Sequence, residues 1–182
     1  MSIATRLFAE KGYEGTSIDA VLKEASVSRG ALYHHFTDKD ALFEAVWEAM
    51  ETRVQEAVTK AAGGVADPVE ALRVGCSAWL RFSVDPVVRR IVLIDAPSAV
   101  GWQKWREIDE RHAFGLLKGA LQAATHERGL DPQVVDVLAH ALLAALIEVA
   151  LVIARSENPK AAMVAGETAL HELIGKLLEP AR

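Results

Sequence analysis

Apolar residues recur at intervals of three and four along most of the chain. Ile3, Leu7 and Phe8 form one stripe, and Ile18, Val21, Leu22 and Ala25 form another. That spacing gathers apolar side chains on one face of a helix. No stretch alternates with period two between turn residues, so strands are not expected. Prolines punctuate the pattern. Asp67-Pro68, Asp85-Pro86, Asp131-Pro132 and Asn158-Pro159 each read as a helix start. The Asp or Asn side chain accepts a free amide of the first turn, and proline suits the first helical position. Pro97-Ser98 opens a further helical segment, and Pro180 ends the last. Thr16-x-x-Asp19 and Thr37-x-x-Asp40 read as capping boxes with an acidic residue in place of the usual Glu or Gln. Gly12, Gly63-Gly64 and Gly129 fall where helices stop. The pattern predicts an all-α chain of about nine helices, at 2–11, 17–24, 28–35, 38–61, 68–83, 86–95, 99–127, 132–155 and 159–178.

The first three helices are short, and the longest lie later. The expected architecture is a small head, residues 1–46, on a larger helical body, residues 47–182. Within the head, a short helix, the turn Ser26-Val27-Ser28 and a second short helix, Arg29–His35, give a helix-turn-helix arrangement over 17–36. Such a pair can place its second helix in a DNA major groove, and an ordinary helical hairpin has the same outline. The chemistry favours DNA. Ser28, Gly30 and Ala31 are small enough for close approach to base edges, and Arg29 suits bidentate pairing with guanine. Thr16, Ser17, Tyr33, His34 and Lys39 offer donors for phosphate oxygens. Val27, Leu32 and Phe36 are expected to turn inward.

Composition narrows the classes. The 182 residues are 51% hydrophobic and 25% charged, a globular balance. The single cysteine, Cys76, cannot bridge within the chain and reads as a core residue. The uncharged runs Ala141–Ile147 and Val149–Ala154 flank Glu148 and fall short of the ~20 residues that a bilayer needs. No membrane span and no signal peptide are expected, and the cytoplasm is the expected compartment. A net charge of −5 argues against a general polyanion binder but not against a local DNA surface.

The sequence closely resembles the head of the TetR/AcrR transcriptional regulators. The resemblance is carried by Leu7-Phe8-Ala9-Glu10-Lys11-Gly12-Tyr13 and Thr16-Ser17-Ile18. It continues through Val27-Ser28-Arg29-Gly30-Ala31-Leu32-Tyr33-His34-His35-Phe36 and Lys39-Asp40-Ala41-Leu42. It implies a three-helix DNA-binding head, a helical ligand-binding body and a homodimer on a double-stranded operator. It also implies phosphate contacts from Thr16 or Ser17, Tyr33, His34 and Lys39, with base contacts from Ser28, Arg29, Gly30 and Ala31. Two departures stand out. The family's turn usually carries Gly where this chain has Ser26. Residues 1–50 hold five Lys or Arg against eight Asp or Glu, a net charge of −3. Members usually have a longer first helix preceded by a basic arm. Because DNA affinity draws on positive charge, the natural start is expected to lie upstream.

In the body, Leu93-Ile94-Asp95-Ala96-Pro97, Gly101-Trp102 and Trp105-Arg106 are similar to a subset of that family. Trp79 with Phe82, and Trp102 with Trp105, stand three apart and could wall a small-molecule pocket. Plain core packing explains the same spacing. Asp95, His112, His140 and Glu148 are the candidate polar groups. Glu148 fits a cationic ligand, a dimer seam or a solvent edge. Small residues mark faces of the last two helices, at Ala141, Ala144 and Ala145 and at Ala161, Ala165 and Ala169. Such faces suit a four-helix dimer seam, and a two-fold dimer requires a near-palindromic operator. Enzymatic chemistry finds little support. Asp109-x-x-His112 is a single weak match to a metal motif, and no phosphate-binding Gly-rich loop occurs. No catalytic residue, metal ligand or cofactor is assigned. The expected function is a regulator, most simply a repressor released by an apolar or aromatic effector. The alternative is a helical small-molecule-binding module with weak or lost DNA binding.

Overall fold

The structure, a computed structural model, describes residues 1–178 and all of their side chains except that of Trp102. Among the described residues there are helices and no strands. Two compact units divide the chain. One holds Met1–Arg53 with Asp85–Ile108, and the other holds Val54–Val84 with the chain from Asp109 onward. The boundary expected after residue 46 falls inside a long helix, so no linker marks it in the sequence.

In the first unit, α1 (Ser2–Gly15), α2 (Ile18–Ala25), α3 (Arg29–His35) and the start of α4 (Lys39–Ala62) close around Leu7, Phe8, Leu32, Phe43 and Trp47. The Phe8 and Phe43 rings meet edge-on at 5.0 Å, and Tyr13 meets Phe43 at 5.1 Å. Gly12 breaks α1 with φ 74° and ψ 173°, a backbone region that is essentially glycine's alone. The turn after it is held from the distant segment 85–108. Asp95, buried, accepts the Tyr13 N–H at 2.8 Å and Arg90 Nε at 3.1 Å. Asp95 is therefore a packing anchor of this unit and not a pocket group.

All four Asp-Pro or Asn-Pro pairs cap helices as expected. Asp67, Asp85, Asp131 and Asn158 accept first-turn amides of α5 (Pro68–Ser83), α6 (Pro86–Val88), α10 (Pro132–Arg155) and α11 (Pro159–Leu178). The two capping boxes are displaced by one residue. Ser17 caps α2 and Asp38 caps α4, through the Ala20 and Ala41 amides. Two expected helices also differ. From Pro86 the chain stays helical through a π-turn segment, Arg89–Asp95, into α7 (Ala96–Ala99). Pro97 sits in the first turn of α7, where its missing N–H is no loss. The expected helix 99–127 is divided into α8 (Trp102–Arg111) and α9 (Ala113–Thr125). Gly101 at φ 80° begins it late, and His112 leaves helical geometry at φ −117°, ψ −102°. Pro180 lies outside the described residues.

In the second unit, α9 packs on α5 and α10, and α11 packs on α10 and α5. Leu72, Leu80, Leu121, Leu142, Leu146, Ile153 and Ile174 form its core. Contrary to the expectation from its uncharged runs, α10 is long and apolar enough to cross a bilayer. Here three neighbours, α9, α11 and α5, pack against it, and Val134, Val137 and Val152 remain as an exposed apolar stripe.

Candidate functional site

The surface of α3 is built from short polar residues on a tightly bounded helix. Ser26 adopts the left-handed conformation, φ 54° and ψ 36°, and its N–H closes α2 on the Leu22 carbonyl. It is the sole described non-glycine residue at positive φ. The turn therefore needs the geometry that glycine gives more easily, at a cost of about 1 kcal/mol. Ser28 then caps α3, accepting the Ala31 N–H at 3.2 Å. Ser28, Arg29, Gly30, Ala31, Tyr33 and His34 are all exposed. No heavy atom lies within 4 Å of where a Gly30 side chain would begin, so another surface can approach closely there. The Arg29 guanidinium pairs with Asp19 and lies 6.0 Å from the Tyr33 ring centre. His34 and His35 meet edge-on at 5.2 Å.

Three expectations for the head change. Thr16 is buried, and its hydroxyl donates to the carbonyls of Leu7, at 3.1 Å, and Gly12, at 2.8 Å. It seals the turn after α1 and offers no side chain to phosphate, which leaves Ser17 of that pair exposed. Lys39 is half-buried. Its ammonium donates to the Tyr13 carbonyl at 3.1 Å and sits 3.9 Å from the Tyr13 ring centre. Tyr13 in turn hydrogen-bonds Asp40, and burial together with that carboxylate pushes its hydroxyl pKa upward. Val27 is 43% exposed, while Leu32 turns inward. Asp19 was read from the sequence only as part of a capping box, not as a partner of Arg29. It stands ten residues from Arg29, and no local spacing rule links the two.

The second unit contains a cavity of about 420 Å³. Its wall comes from α4, α5, α9 and α10. Val54, Val58, Leu72, Trp79, Leu116, Leu117, Leu143 and Leu146 make it apolar. Ala62, Ala71, Gly75, Gly115, Gly119 and Ala120 make it possible, because they withhold volume where three helices meet. Thr59, Gly63, Gly115 and Gly119 are exposed and mark its open side. Cys76 lines the wall, and burial pushes its thiol up to about 12. It is thus a small apolar residue rather than a nucleophile.

Trp79 lines this cavity, and the rest of the expected aromatic and polar set does not. Phe82, one helical turn beyond Trp79, is half-buried off the wall. Trp105 belongs to the segment that packs with the head. The Trp102 side chain lies outside the described residues. His112 stands behind the wall, with Nδ1 2.9 Å from Oε1 of Gln55, a wall residue. His140 stacks on Phe114 at 4.2 Å and approaches Asp136 at 3.7 Å. Glu148 is exposed on the outer face of α10 with Val137, Ala141, Ala144 and Val152. Beside it in type, α11 exposes Ala161, Val164, Ala165, Ala169 and Leu173.

A three-helix head with an exposed, small-residue third helix, joined in sequence to a helical body, defines a DNA-binding transcriptional regulator. Comparison with known proteins agrees. Residues 1–46 match the profile of bacterial regulatory proteins of the tetR family, and residues 69–177 match the tetracyclin repressor-like C-terminal domain. The chain belongs to the TetR family of transcriptional regulators. The HTH-type transcriptional regulator AcrR of Shigella flexneri is 35% identical over 94 residues, which cover 51% of this chain and 44% of AcrR. The chain thus spans less than half the length of that relative. The transposon Tn10 TetC protein of Escherichia coli is 26% identical over 136 residues, covering 75% of this chain and 68% of TetC. A crystal structure of a TetR-family regulator from Pectobacterium atrosepticum is 32% identical, with a TM-score of 0.77 over 100% of this chain and 93% of that one.

Proposed function

We propose that this chain is a homodimeric repressor whose grip on a near-palindromic operator is released by a small apolar effector. The exposed surface of α3 is the observation that carries the reading. Arg29 is assigned to a guanine edge, and Ser28, Gly30 and Ala31 to close approach within the major groove. Ser17, Tyr33, His34 and Lys39 are assigned to phosphates. Lys39 carries a second duty, because its ammonium also ties Tyr13 to the start of α4.

The exposed apolar faces of α10 and α11 support a seam between two copies. Two heads would then address major grooves about 34–36 Å apart or a multiple of it. The cavity supports an effector site, and regulation rather than catalysis is the role. Ligand and operator each favour a different state of the dimer, so each lowers affinity for the other by the same factor. Such a regulator works where the DNA is, in the cytoplasm.

The test joins the two halves of the proposal. Sedimentation of Val137→Lys is expected to show a monomer that has lost operator binding while keeping the helical spectrum of the parent. A Val137→Lys protein that remains dimeric would move the seam elsewhere.

A further inference from the structure

The cavity of the second unit carries more information than its size. Among the described residues, its wall contains no Asp, Glu, Lys, Arg or His. A charged group carried into it would lose its water and find no counter-charge, which is strongly unfavourable. At the packing density of protein interiors, about 420 Å³ holds on the order of 15 non-hydrogen atoms. The polar atoms on the wall are few and neutral. Thr59 contributes a hydroxyl at the open side, Cys76 a thiol within, and Trp79 an indole N–H.

Gln55 is the exception that gives direction. Its Oε1 lies 2.9 Å from His112 Nδ1, and in the tautomer that carries its proton on that nitrogen the ring donates to the amide oxygen and holds it toward His112. The amide N–H₂ is then the hydrogen-bonding group that Gln55 has left to offer on the wall. A hydrocarbon would leave it without a partner. A molecule with one acceptor at an end or edge would complete it.

Resting on the reading of this cavity as the effector site, we propose that the effector is an uncharged, largely apolar molecule bearing one hydrogen-bond acceptor, taken up by Gln55. His112 is a positioning residue that acts through Gln55. Acids and amines of the same shape are excluded in their ionised forms.

The test uses phenylnaphthylamine, an uncharged dye that brightens in apolar surroundings, and four ten-carbon competitors: methyl octyl ketone, decane, decanoate and decylammonium. Dye bound by the parent and lost in both Gly119→Leu and Ala120→Phe places it in the cavity. The ketone is then expected to displace it at concentrations at least about tenfold below those of decanoate or decylammonium. Its advantage over decane is expected to be about fivefold, the worth of one hydrogen bond. Gln55→Leu is expected to keep the dye and to level the ketone with decane. Decanoate competing as well as the ketone would overturn the neutral class while leaving the cavity reading intact. A ketone preference that survives Gln55→Leu would overturn the role of Gln55. A parent protein that binds no dye would instead remove the cavity reading itself.

Discussion

The α3 surface and the body cavity recognise by opposite means. The head presents side chains, and the cavity withholds them. On α3, Ser28, Arg29, Gly30, Ala31, Tyr33 and His34 stand in solvent on a helix whose start is fixed by a capped turn. In the body, Gly75, Gly115, Gly119 and Ala120 leave room where helices meet. A polyanion of fixed geometry calls for protruding donors at set spacing, whereas a neutral molecule calls for missing volume. Tolerance to substitution follows from that contrast, because added atoms threaten the head's turns and fill the body's void.

The largest expected effect breaks the head alone. Gly12→Val puts a β-branched residue at φ 74°, ψ 173° and drives its side chain against Arg90. Urea denaturation is expected to show a loss of about 3 kcal/mol. Gly119→Leu, on an open helical site in the body, is expected to leave stability equal or higher by about 0.5–1 kcal/mol, because leucine replaces a helix-interior glycine. Equal losses from both would erase the contrast.

Arg29→Ala sharpens the comparison at the binding level. Anisotropy titrations are expected to lose about 1–3 kcal/mol of discrimination at one base pair per half-site, with dye binding in the cavity unchanged.

Cys76 gives the body a pH signature. Its thiol is held up at about 12 from an ordinary value of 9.0, so the folded state keeps a proton that the unfolded state gives up. Below about pH 9 both states hold the proton and the contribution to stability is complete. Above it the unfolded chain ionises first, and stability falls as pH climbs toward about 12, by about 1.4 kcal/mol one unit above the unfolded value. Denaturation midpoints from pH 8 to 10 are expected to fall more steeply in the parent than in Cys76→Ala.

Two smaller effects return to the head. Ser26→Gly relieves the left-handed residue between α2 and α3 and is expected to raise stability by about 1 kcal/mol in thermal unfolding. Asp19→Asn frees Arg29 from an exposed ion pair and is expected to tighten operator binding by no more than about fivefold, the measure of a surface pair.

What was legible in the sequence follows the same division. The proline caps, the α2–α3 turn and the exposed α3 set could be read because each rests on neighbours in the chain. Thr16 was misplaced because Ser17, one residue later, makes the cap, while Thr16 turns inward to the end of α1. Lys39 was read only as a phosphate donor, and its contact with Tyr13 had no local sign because that partner is twenty-six residues away. The cavity was missed in most of its residues because aromatic spacing signals a wall only where the chain folds one. Trp105 packs with the head segment, and the small residues that open the space look like ordinary helix filler until α4, α5, α9 and α10 are brought together. His112 was noticed for its chemistry, but its contact with Gln55 crosses fifty-seven residues and has no local sign.

The most direct measurement is selection of bound duplexes from a random pool by the parent protein and by Arg29→Ala, side by side. The expected result is a near-palindrome enriched by the parent, with one position of each half-site degenerate in the variant. An unenriched pool, or the same palindrome recovered by both proteins, would contradict the assignment of α3 as the DNA-reading helix and Arg29 as its base contact.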